Sequence, residues 1–557
     1  MAYQFLFVDS LQKVLPEQKP EAMGVAKLSG LRGEVLCFQL AYTRDYQRGP
    51  IWQKDLAYTL SGDDKVLAAT RISRVELVPV ALPAYLDRLD GNYLFTDPRL
   101  GPDLLEPVES NIFRPYAKQW RSLWFEVTLG ADLHAGDYPV TLQVSQEDQV
   151  IWEDTITLAV VPLQLPEQTL IHTEWFHGDC LADYYSCPVF SEEHWRLLGN
   201  FMESAVRNSV NLLLTPIFTP PLDTAVGGER TTIQLVGIEQ DGDKFIFDFT
   251  LLDRWIELAL AKGIRYFEMA HFFTQWGAMH APKILARVDR SAEAEQIFGW
   301  DTPATGPAYK NFLYQFIPAL KTFLAERGLL DRTYFHISDE PRLEHKDSYR
   351  AAKEMVWPLL QDCNVIDALS SYEFYRSGLV EHPIPSNNHI ESFLDNDIAD
   401  LWTYYCCSQT VDVSNRFMAM PSARNRIIGV QLYLHKISGF LHWGFNFYNA
   451  QYSVRPINPF LVTDAVNAFP SGDAFIVYPA KDGTALDSLR GRVFFQAMQD
   501  MRAFQLLESL AGREVVEALI REDVEGELTF AKYPEAASYL LNLREKVNAE
   551  LMRFVEA

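Results

Sequence analysis

The chain has 557 residues with 49 Lys+Arg against 74 Asp+Glu, which gives a formal net charge of -25. Hydrophobic residues make up 48% of it and charged residues 22%, so a disordered chain and a collagen-like fibre are excluded. Because nucleic acids and anionic lipids bind basic surfaces, the acidic excess argues against both as partners.

The first twenty residues, MAYQFLFVDSLQKVLPEQKP, show no basic segment, long apolar core or small-residue cleavage site. No stretch of about 18 consecutive apolar residues occurs anywhere, so we expect no membrane span and a cytoplasmic location. The six cysteines lack the repeated CxxC spacing of a zinc site, and we expect reduced thiols. The sequence does not define an oligomeric state.

Residues 30–165 consist of short alternating segments such as EVLCFQLAYT and YPVTLQVSQ, separated by Gly, Pro and Asp turns. This pattern is typical of a β-sandwich. It predicts an N-terminal sandwich domain over residues 1–165, with a boundary within residues 161–169.

After Pro166 the pattern changes to apolar strands separated by helices with a period of 3.6, which indicates parallel β/α units. Eight strands joined in this way predict a (β/α)8 TIM barrel. We assign residues 166–557 to this domain, including C-terminal helices that begin at 486–510. The predicted strands are 169–177, 211–218, 264–272, 333–341, 365–374, 389–393, 401–407 and 439–448.

Active sites of TIM barrels lie at the carboxyl ends of the strands, so residues that end the apolar runs are candidates. Polar and aromatic side chains are concentrated there. A tryptophan or tyrosine at a strand end more often packs than binds, and only the joint placement of these residues is informative. The candidates for substrate contact are His271, His336, Tyr372, Tyr404, Trp443, Asn446 and Tyr448.

The motif HISDEP at the end of the predicted fourth strand places Asp339 beside Glu340. Two adjacent carboxylates at the end of an apolar strand are costly to bury without a counter-charge. Because residues before proline favour extended backbone, Pro341 predicts an extended Glu340. A purely structural alternative is that the acids cap the next helix or pair with Arg342.

Two unlike carboxylates among aromatic side chains fit glycoside hydrolysis. Ordinary retaining enzymes place their carboxylates about 5–5.5 Å apart across the scissile bond, and sequence neighbours are poorly placed for that. They suit substrate assistance. There the sugar's 2-acetamido oxygen attacks the anomeric carbon, one acid holds the acetamido N–H, and the other acts as acid and then base.

The HISDEP strand, the runs WTYYCCSQ and GFLHWGFNFYN, and the segment SGDAFIVYP together resemble glycoside hydrolase family 123, also catalogued as domain of unknown function 4091. The resemblance covers nearly the whole chain. It implies an N-terminal β-sandwich and a (β/α)8 catalytic domain, and a retaining, exo-acting β-N-acetylgalactosaminidase with an oxazolinium intermediate.

By the same resemblance, Asp339 is the acetamido-orienting residue and Glu340 the general acid/base. Tyr404, Trp443, Asn446 and Tyr448 correspond to the sugar-contacting surface. The implied substrate is an oligosaccharide or glycoconjugate. The choice between galacto and gluco configuration stays open.

Two other functions remain open at this stage. One is a two-carboxylate retaining glycosidase with Glu340 as acid/base and Glu373, Glu391 or another acid as nucleophile. The other is a carbohydrate-binding protein without catalysis, because a fold alone does not establish activity. The histidines lack HExxH spacing and no phosphate-binding glycine loop occurs, so we expect neither a metal nor an organic cofactor.

Overall fold

The structure is a computed structural model of the chain. It describes residues 3–45, 55–289, 291, 293–396 and 398–556. The chain forms two compact units. Unit 1 consists of Met1–Thr169, Thr410–Leu434 and Leu486–Ala557, and unit 2 of Leu170–Gln409 and His435–Ala485. The sequence pattern assigns the C-terminal helices to the barrel domain, whereas in the structure they belong to the same unit as the N-terminal strands.

The N-terminal part of unit 1 is almost entirely β-structure. Its elements are β1 (Tyr3–Asp9), β2 (Lys27–Arg32), β3 (Val35–Arg44), β4 (Leu56–Ser61), α1 (Asp64–Ala68), β5 (Thr70–Val80), β6 (Arg99–Pro107), β7 (Ile112–Phe113), β8 (Arg121–Thr128), β9 (Gly136–Gln146) and β10 (Gln149–Gln164).

These strands form two five-stranded sheets, with the orders β1-β3-β8-β5-β6 and β2-β10-β9-β4-β7. Alternate residues of both sheets enter one apolar core. Phe38 and Phe125 stack in this core with ring centroids 4.8 Å apart, and Leu142 and Ile156 of the other sheet are buried in it as well. Burial of one face of each sheet explains the alternating sequence and confirms the predicted β-sandwich.

Unit 2 begins after the boundary segment, and strands and helices alternate along it. Its first elements are β11 (Ile171–Glu174), α2 (Gly178–Tyr185), α3 (Glu192–Arg207), β12 (Leu212–Thr215), β13 (Gly237–Asp241), β14 (Lys244–Asp248), α4 (Thr250–Lys262), β15 (Tyr266–Met269), β16 (Ile284–Val288), β17 (Glu295–Phe298), α5 (Pro307–Glu326), β18 (Thr333–Phe335), α6 (Lys346–Leu360), β19 (Asn364–Leu369), α7 (Tyr372–Arg376), β20 (His382–Pro385), α8 (Glu391–Leu394) and β21 (Trp402–Tyr404).

The rest of the chain adds α9 (Ser422–Arg426), α10 (Ile428–Leu434), β22 (Gly439–His442), β23 (Tyr478–Pro479), β24 (Ala485–Leu486), α11 (Leu489–Ala511), α12 (Arg513–Arg521) and α13 (Ala537–Glu556). Short 3-10 helices lie at Leu330–Arg332, Leu343–His345 and Gln451–Ser453. Among the helices of the described ranges, none is both long and apolar enough to cross a membrane.

Eight parallel strands form the barrel of unit 2, in the order β20-β19-β18-β15-β12-β11-β22-β21. A parallel bridge between Ser386 and Tyr404, with Asn387 N–H donating to Tyr404 O at 2.8 Å, joins the two ends of this sheet. Strands such as β12 are buried along their whole length, which explains their continuous apolar sequences. The predicted (β/α)8 barrel is confirmed.

The prediction for the sixth barrel strand was wrong. Residues 389–393 lie in and around helix α8, and the strand is β20, formed by His382–Pro385. Pro383 and Pro385 lack an N–H group, which makes this tetrapeptide a poor candidate for an inner strand. It pairs with β19 in parallel register, with Asp367 opposite Pro383.

Candidate active site

A cavity of about 110 Å³ lies among residues at the carboxyl ends of the barrel strands. It contains both predicted catalytic residues, Asp339 and Glu340, and two of the predicted sugar contacts, Tyr404 and Trp443. This is the end of the barrel at which active sites of the fold occur. The lining residues are Trp175, Leu222, Asp223, Gln275, Trp276, Asp339, Glu340, Ala368, Tyr404, Cys406, Cys407, Leu441, Trp443 and Phe469.

The backbone at Glu340 is left-handed, with φ of 43°, so the prediction of an extended residue before Pro341 was wrong. Two hydrogen bonds hold this conformation. Glu340 N–H donates to Ala368 O at 3.1 Å, and Asp339 O accepts from Trp276 N–H at 2.9 Å. A non-glycine residue in this region is strained, and such strain persists where surrounding structure enforces it, commonly at functional sites.

The Glu340 carboxylate accepts a hydrogen bond from the hydroxyl of Tyr404, at the end of β21. Burial raises the pKa of Glu340, although the Tyr404 hydroxyl and the charge of Arg342 lower it. Asp473 raises it further. A carboxylic acid whose pKa is raised in this way keeps its proton at higher pH, as a general acid must.

Asp339 is 8% exposed, and no group of the described residues donates a hydrogen bond to its carboxylate. Burial raises the pKa of Asp339 well above its usual value, and the neighbouring Glu340 raises it further, while His336 lowers it. Within the described part of the chain, the carboxylate is therefore a largely buried acceptor without a hydrogen-bond donor. A ligand N–H group placed in the cavity can supply the missing hydrogen bond.

His336, also a predicted contact, does not line the cavity and lies between two carboxylates. One ring nitrogen is 2.5 Å from Glu268 Oε1 and the other 3.2 Å from Asp367 Oδ1. Burial lowers the pKa of His336, but the two carboxylates outweigh it and bring the pKa to about 10. His336 is thus a cation at neutral pH. Glu268 also accepts from Trp175 Nε1 at 2.9 Å, which ties this network to the cavity wall.

His271, another predicted contact, stacks on His336 with ring centroids 4.2 Å apart. It is 1% exposed, and neither of its ring nitrogens has a hydrogen-bond partner among the described residues. Burial lowers the pKa of His271 well below its usual value, and the charge of His336 lowers it further. The ring is therefore neutral.

Three other predicted contacts, Tyr372, Asn446 and Tyr448, lie outside the cavity lining. Tyr372 begins α7 and packs against Phe393. Asn446 bonds the backbone of His177 in both directions, at 2.8 and 3.0 Å, and the Tyr448 hydroxyl donates to a backbone carbonyl. Their role in sugar binding stays a prediction.

Asp223, a third carboxylate in the cavity, lies in the loop after β12 and is not among the residues that the sequence predicts for the site. Its Oδ2 accepts from Tyr452 N–H at 2.9 Å. Burial raises the pKa of Asp223 to about 6, although that hydrogen bond and the charge of Arg230 lower it. The segment TPPLDT reads as an ordinary proline-rich loop, so the sequence carried no signal for this residue.

Asp473 was also missed, and it supports the cavity through Trp443. Trp443 Nε1 donates to Asp473 Oδ2 at 2.8 Å, and the second carboxylate oxygen is 3.5 Å from His442 Nε2. The indole ring is thereby fixed in the wall. Asp473 lies in the SGDAF segment, far from Trp443 in sequence, and only the fold brings them together.

The two acids considered as alternative nucleophiles do not line the cavity. Glu373 bonds Lys346 at 2.7 Å and Arg376 at 2.7 Å, and Glu391 is the exposed first residue of α8. Within the described residues, no group of three or more His, Cys, Asp or Glu side chains is arranged to hold a metal ion.

Comparison with protein families places this barrel among the glycosidases. The model described as "Glycoside hydrolase 123, catalytic domain" matches residues 175–507, and the chain therefore belongs to glycoside hydrolase family 123. This confirms the resemblance and the coarser prediction of a glycosidase. Among curated proteins, no sequence matches.

One solved structure supports the fold. A family 123 glycoside hydrolase from Clostridium perfringens, described in connection with glycolipid glycan hydrolysis, aligns with a TM-score of 0.73 at 15% identity over 100% of this chain and 98% of that one. A GH5 xyloglucanase from Bacteroides ovatus aligns with a TM-score of only 0.30 at 8% identity, over 86% of this chain and 99% of that one. The first alignment supports the fold alone, and the second is too weak to support any conclusion.

Proposed function

We propose that the protein is a retaining exo-glycosidase that removes terminal β-linked N-acetylgalactosamine, or a related 2-acetamido sugar, with the help of the substrate's own acetamido group. One observation carries this proposal. Asp339 and Glu340, adjacent in sequence, line the same cavity at the carboxyl end of the barrel, while Glu373 and Glu391 lie outside it.

In the proposed first step, protonated Glu340 donates its proton to the glycosidic oxygen as the bond to the anomeric carbon breaks. The acetamido oxygen forms the new bond to that carbon and closes an oxazolinium ring. Asp339 accepts a hydrogen bond from the acetamido N–H, which orients the oxygen and stabilises the positive charge that develops. The aglycone leaves with the proton of Glu340.

In the second step, ionised Glu340 takes a proton from water, and the hydroxide oxygen bonds the anomeric carbon as the ring opens. Two inversions at the same carbon give overall retention. The surroundings support these roles, because burial raises the pKa of Glu340 and Asp339 has no hydrogen-bond donor of its own among the described residues. Trp175 and Trp443 supply aromatic walls for the sugar.

We propose glycans or glycoconjugates as the substrate class, in line with the glycolipid glycan hydrolysis named for the Clostridium perfringens structure. The proposal includes neither nucleic acid nor membrane as a partner and requires no cofactor. A cytoplasmic location stays a prediction.

The test is the turnover of aryl β-glycosides with and without a 2-acetamido group by the wild type, Asp339→Asn and Glu340→Gln. We expect only acetamido substrates to react. Glu340→Gln should lower turnover by about 10²–10⁴-fold for poor leaving groups, and much less where the leaving group needs no proton. A thiazoline mimic of the intermediate should inhibit. Glu373→Gln, outside the cavity, is the matched control and should keep wild-type rates.

Asp223 is the candidate nucleophile for the two-carboxylate mechanism, because it lines the cavity and lies in a different barrel loop from Glu340. Under that mechanism plain galactosides react as fast as acetamido substrates, and Asp223→Asn abolishes their turnover. Under substrate assistance, Asp223→Asn instead leaves acetamido selectivity intact. If no glycoside is turned over at all, the result favours a carbohydrate-binding protein without catalysis.

A further inference from the structure

We propose that unit 1 contains a second carbohydrate site, a polar cavity that binds a neutral mono- or disaccharide. The cavity has a volume of about 390 Å³, within the range of about 300–1,000 Å³ that small-molecule sites occupy. Its walls come from the end of β1, the loop 21–25, strands β2 and β3, and helices α9, α11 and α13. None of its lining residues is shared with the barrel cavity.

The buried side of this cavity is an ion-pair network without excess charge. Arg426 binds Asp500 through Nε and Nη2 at 2.7 and 2.9 Å, and Arg544 donates to Glu34 at 2.6 Å. All four residues are at most 6% exposed. Since each guanidinium already faces a carboxylate, this side of the cavity presents hydrogen-bonding groups to a ligand but no net charge.

Gln496 adds a donor that the protein leaves unused. Its Oε1 accepts from Ser10 Oγ at 2.7 Å and from Arg426 Nη1 at 3.0 Å. Its Nε2 has no hydrogen-bond partner among the described residues, although Gln496 is only 4% exposed and lines the cavity. An unpaired buried donor is unfavourable. Because Nε2 has almost no accessible surface, the Gln496 amide must turn toward the cavity before a ligand acceptor can satisfy this donor.

The remaining wall presents acceptors beside donors. Glu545 of α13 accepts from Ser29 N and Oγ at 3.0 and 2.7 Å, and Gln12 Nε2 donates to Asp9 Oδ2 at 3.1 Å. The lining contains four carboxylates and three cationic side chains, so a phosphate or sulfate ester is disfavoured.

Hydroxyl groups match this lining because each one both donates and accepts. Met23, Val25 and Leu36 add an apolar strip suited to the C–H faces of a sugar ring. A neutral sugar therefore fits the cavity by charge, by hydrogen bonding and by size. The inference goes beyond the proposed function, since binding here requires no hydrolysis.

Gly24 allows the cavity to be blocked with little disturbance of the fold. A Cβ at Gly24 meets no atom within 4 Å, and the residue lies in the cavity wall, so Gly24→Trp fills the space. Gly91→Trp is the matched control, because Gly91 also has no atom within 4 Å of such a Cβ but lies outside the cavity.

The experiment is hydrogen–deuterium exchange of the full chain with N-acetylgalactosamine, galactose, lactose or inorganic phosphate at millimolar concentration. In the wild type, we expect at least one sugar, but not phosphate, to protect segments 20–36 and 537–548 from exchange. In Gly24→Trp, we expect no protection of these segments by any sugar. Gly91→Trp should behave as the wild type. Protection confined to barrel segments, protection by phosphate alone, or protection that survives in Gly24→Trp would overturn the proposal.

Gln496→Glu supplies a second variant should Gly24→Trp fail to fold. The new carboxylate still accepts from Ser10 and Arg426, but the Nε2 donor is gone. We expect sugar binding at segments 20–36 to weaken about tenfold, the effect of losing one buried hydrogen bond. Unchanged binding in this variant contradicts the proposal. Both variants lie outside the barrel cavity, so the result does not depend on whether glycosides are hydrolysed.

Discussion

Glu340 is fixed by its backbone and its side chain together. Its left-handed conformation is held by hydrogen bonds at Ala368 and Trp276, and its carboxylate by the Tyr404 hydroxyl. The strain at this residue therefore serves to place one carboxyl group in the cavity. In the proposed mechanism, that placement gives the general acid a single position beside the glycosidic oxygen.

Replacing Tyr404 by phenylalanine tests the proton-transfer role of Glu340. The Tyr404 hydroxyl lowers the pKa of Glu340, so its removal raises that pKa further above its ordinary value. A general acid acts while protonated, so the basic limb of kcat/KM against pH should move to higher pH. The measurement is the pH profile for an aryl 2-acetamido glycoside.

The control for this prediction is Tyr405→Phe, the next residue along the chain. Tyr405 packs against Phe440 and His442 and does not line the cavity. Its profile should coincide with that of the wild type. A basic limb that stays in place in Tyr404→Phe would show that another group is the proton donor.

At the residue scale, the sequence indicates groups that are neighbours along the chain and not groups that the fold brings together. Asp339 and Glu340 stand out as two consecutive acids that end an apolar strand, and both line one cavity, while their catalytic roles stay a prediction. Asp223 and Asp473 were not found, because each meets the cavity through contacts that span more than 25 residues of sequence. The backbone of Glu340 was mispredicted because neighbouring strands outweigh the local preference before proline.

At the scale of elements, the barrel is built from strands of three to six residues that are almost fully buried. Pairing between such short strands depends on close side-chain packing. Gly439 begins β22 opposite Trp402 of β21, and a Cβ at Gly439 would lie 2.0 Å from the indole ring. Glycine is required here by the close approach of the ring.

Gly439→Ala should therefore destabilise the barrel. The methyl group overlaps the Trp402 ring, and relieving this overlap costs about 1–3 kcal/mol of unfolding free energy. The measurement is urea denaturation followed by fluorescence. Gly91→Ala, which meets no atom within 4 Å, should leave the transition in place. Equal transitions for the two variants would show that the ring moves aside freely.

Element types were easier to predict than element positions. Seven of the eight predicted barrel strands overlap observed strands. In each of these seven, the apolar run is longer than any turn-forming segment that it contains. The strand at His382–Pro385 was missed because two of its four residues are prolines. Hydrogen bonds from neighbouring segments hold this strand in place, and local sequence preferences do not indicate those bonds.

At the scale of the whole molecule, unit 1 is assembled from three separate stretches of chain. Helix α11 contributes Arg490, which binds Asp103 of β6 through Nε and Nη2 at 2.9 and 3.0 Å. Both side chains are at most 1% exposed. The sequence could not predict this arrangement, because 387 residues separate the partners and neither is distinctive by itself.

Breaking this pair should destabilise unit 1 strongly. Arg490→Leu leaves the Asp103 carboxylate buried without its guanidinium, at a cost of about 3–5 kcal/mol. Adding Asp103→Leu to the Arg490→Leu variant removes the buried carboxylate and should restore part of the lost unfolding free energy. Denaturant unfolding of both variants measures this difference. Lys65→Leu, which breaks the exposed pair with Asp132, should have little effect. A double variant no more stable than Arg490→Leu would show that the buried Asp103 carboxylate is not the cause of the destabilisation.

The division of unit 1 into three stretches also bears on the order of events during biosynthesis. All residues of unit 2 have been translated once Ala485 is added, whereas unit 1 still lacks α11, α12 and α13 at that moment. Since nascent chains fold progressively from the N-terminus, we expect the barrel to reach its native state on the ribosome while the sandwich awaits its last helices. The strands that these helices contact, β2, β6 and β10, then stay uncovered on that side until the helices have been made.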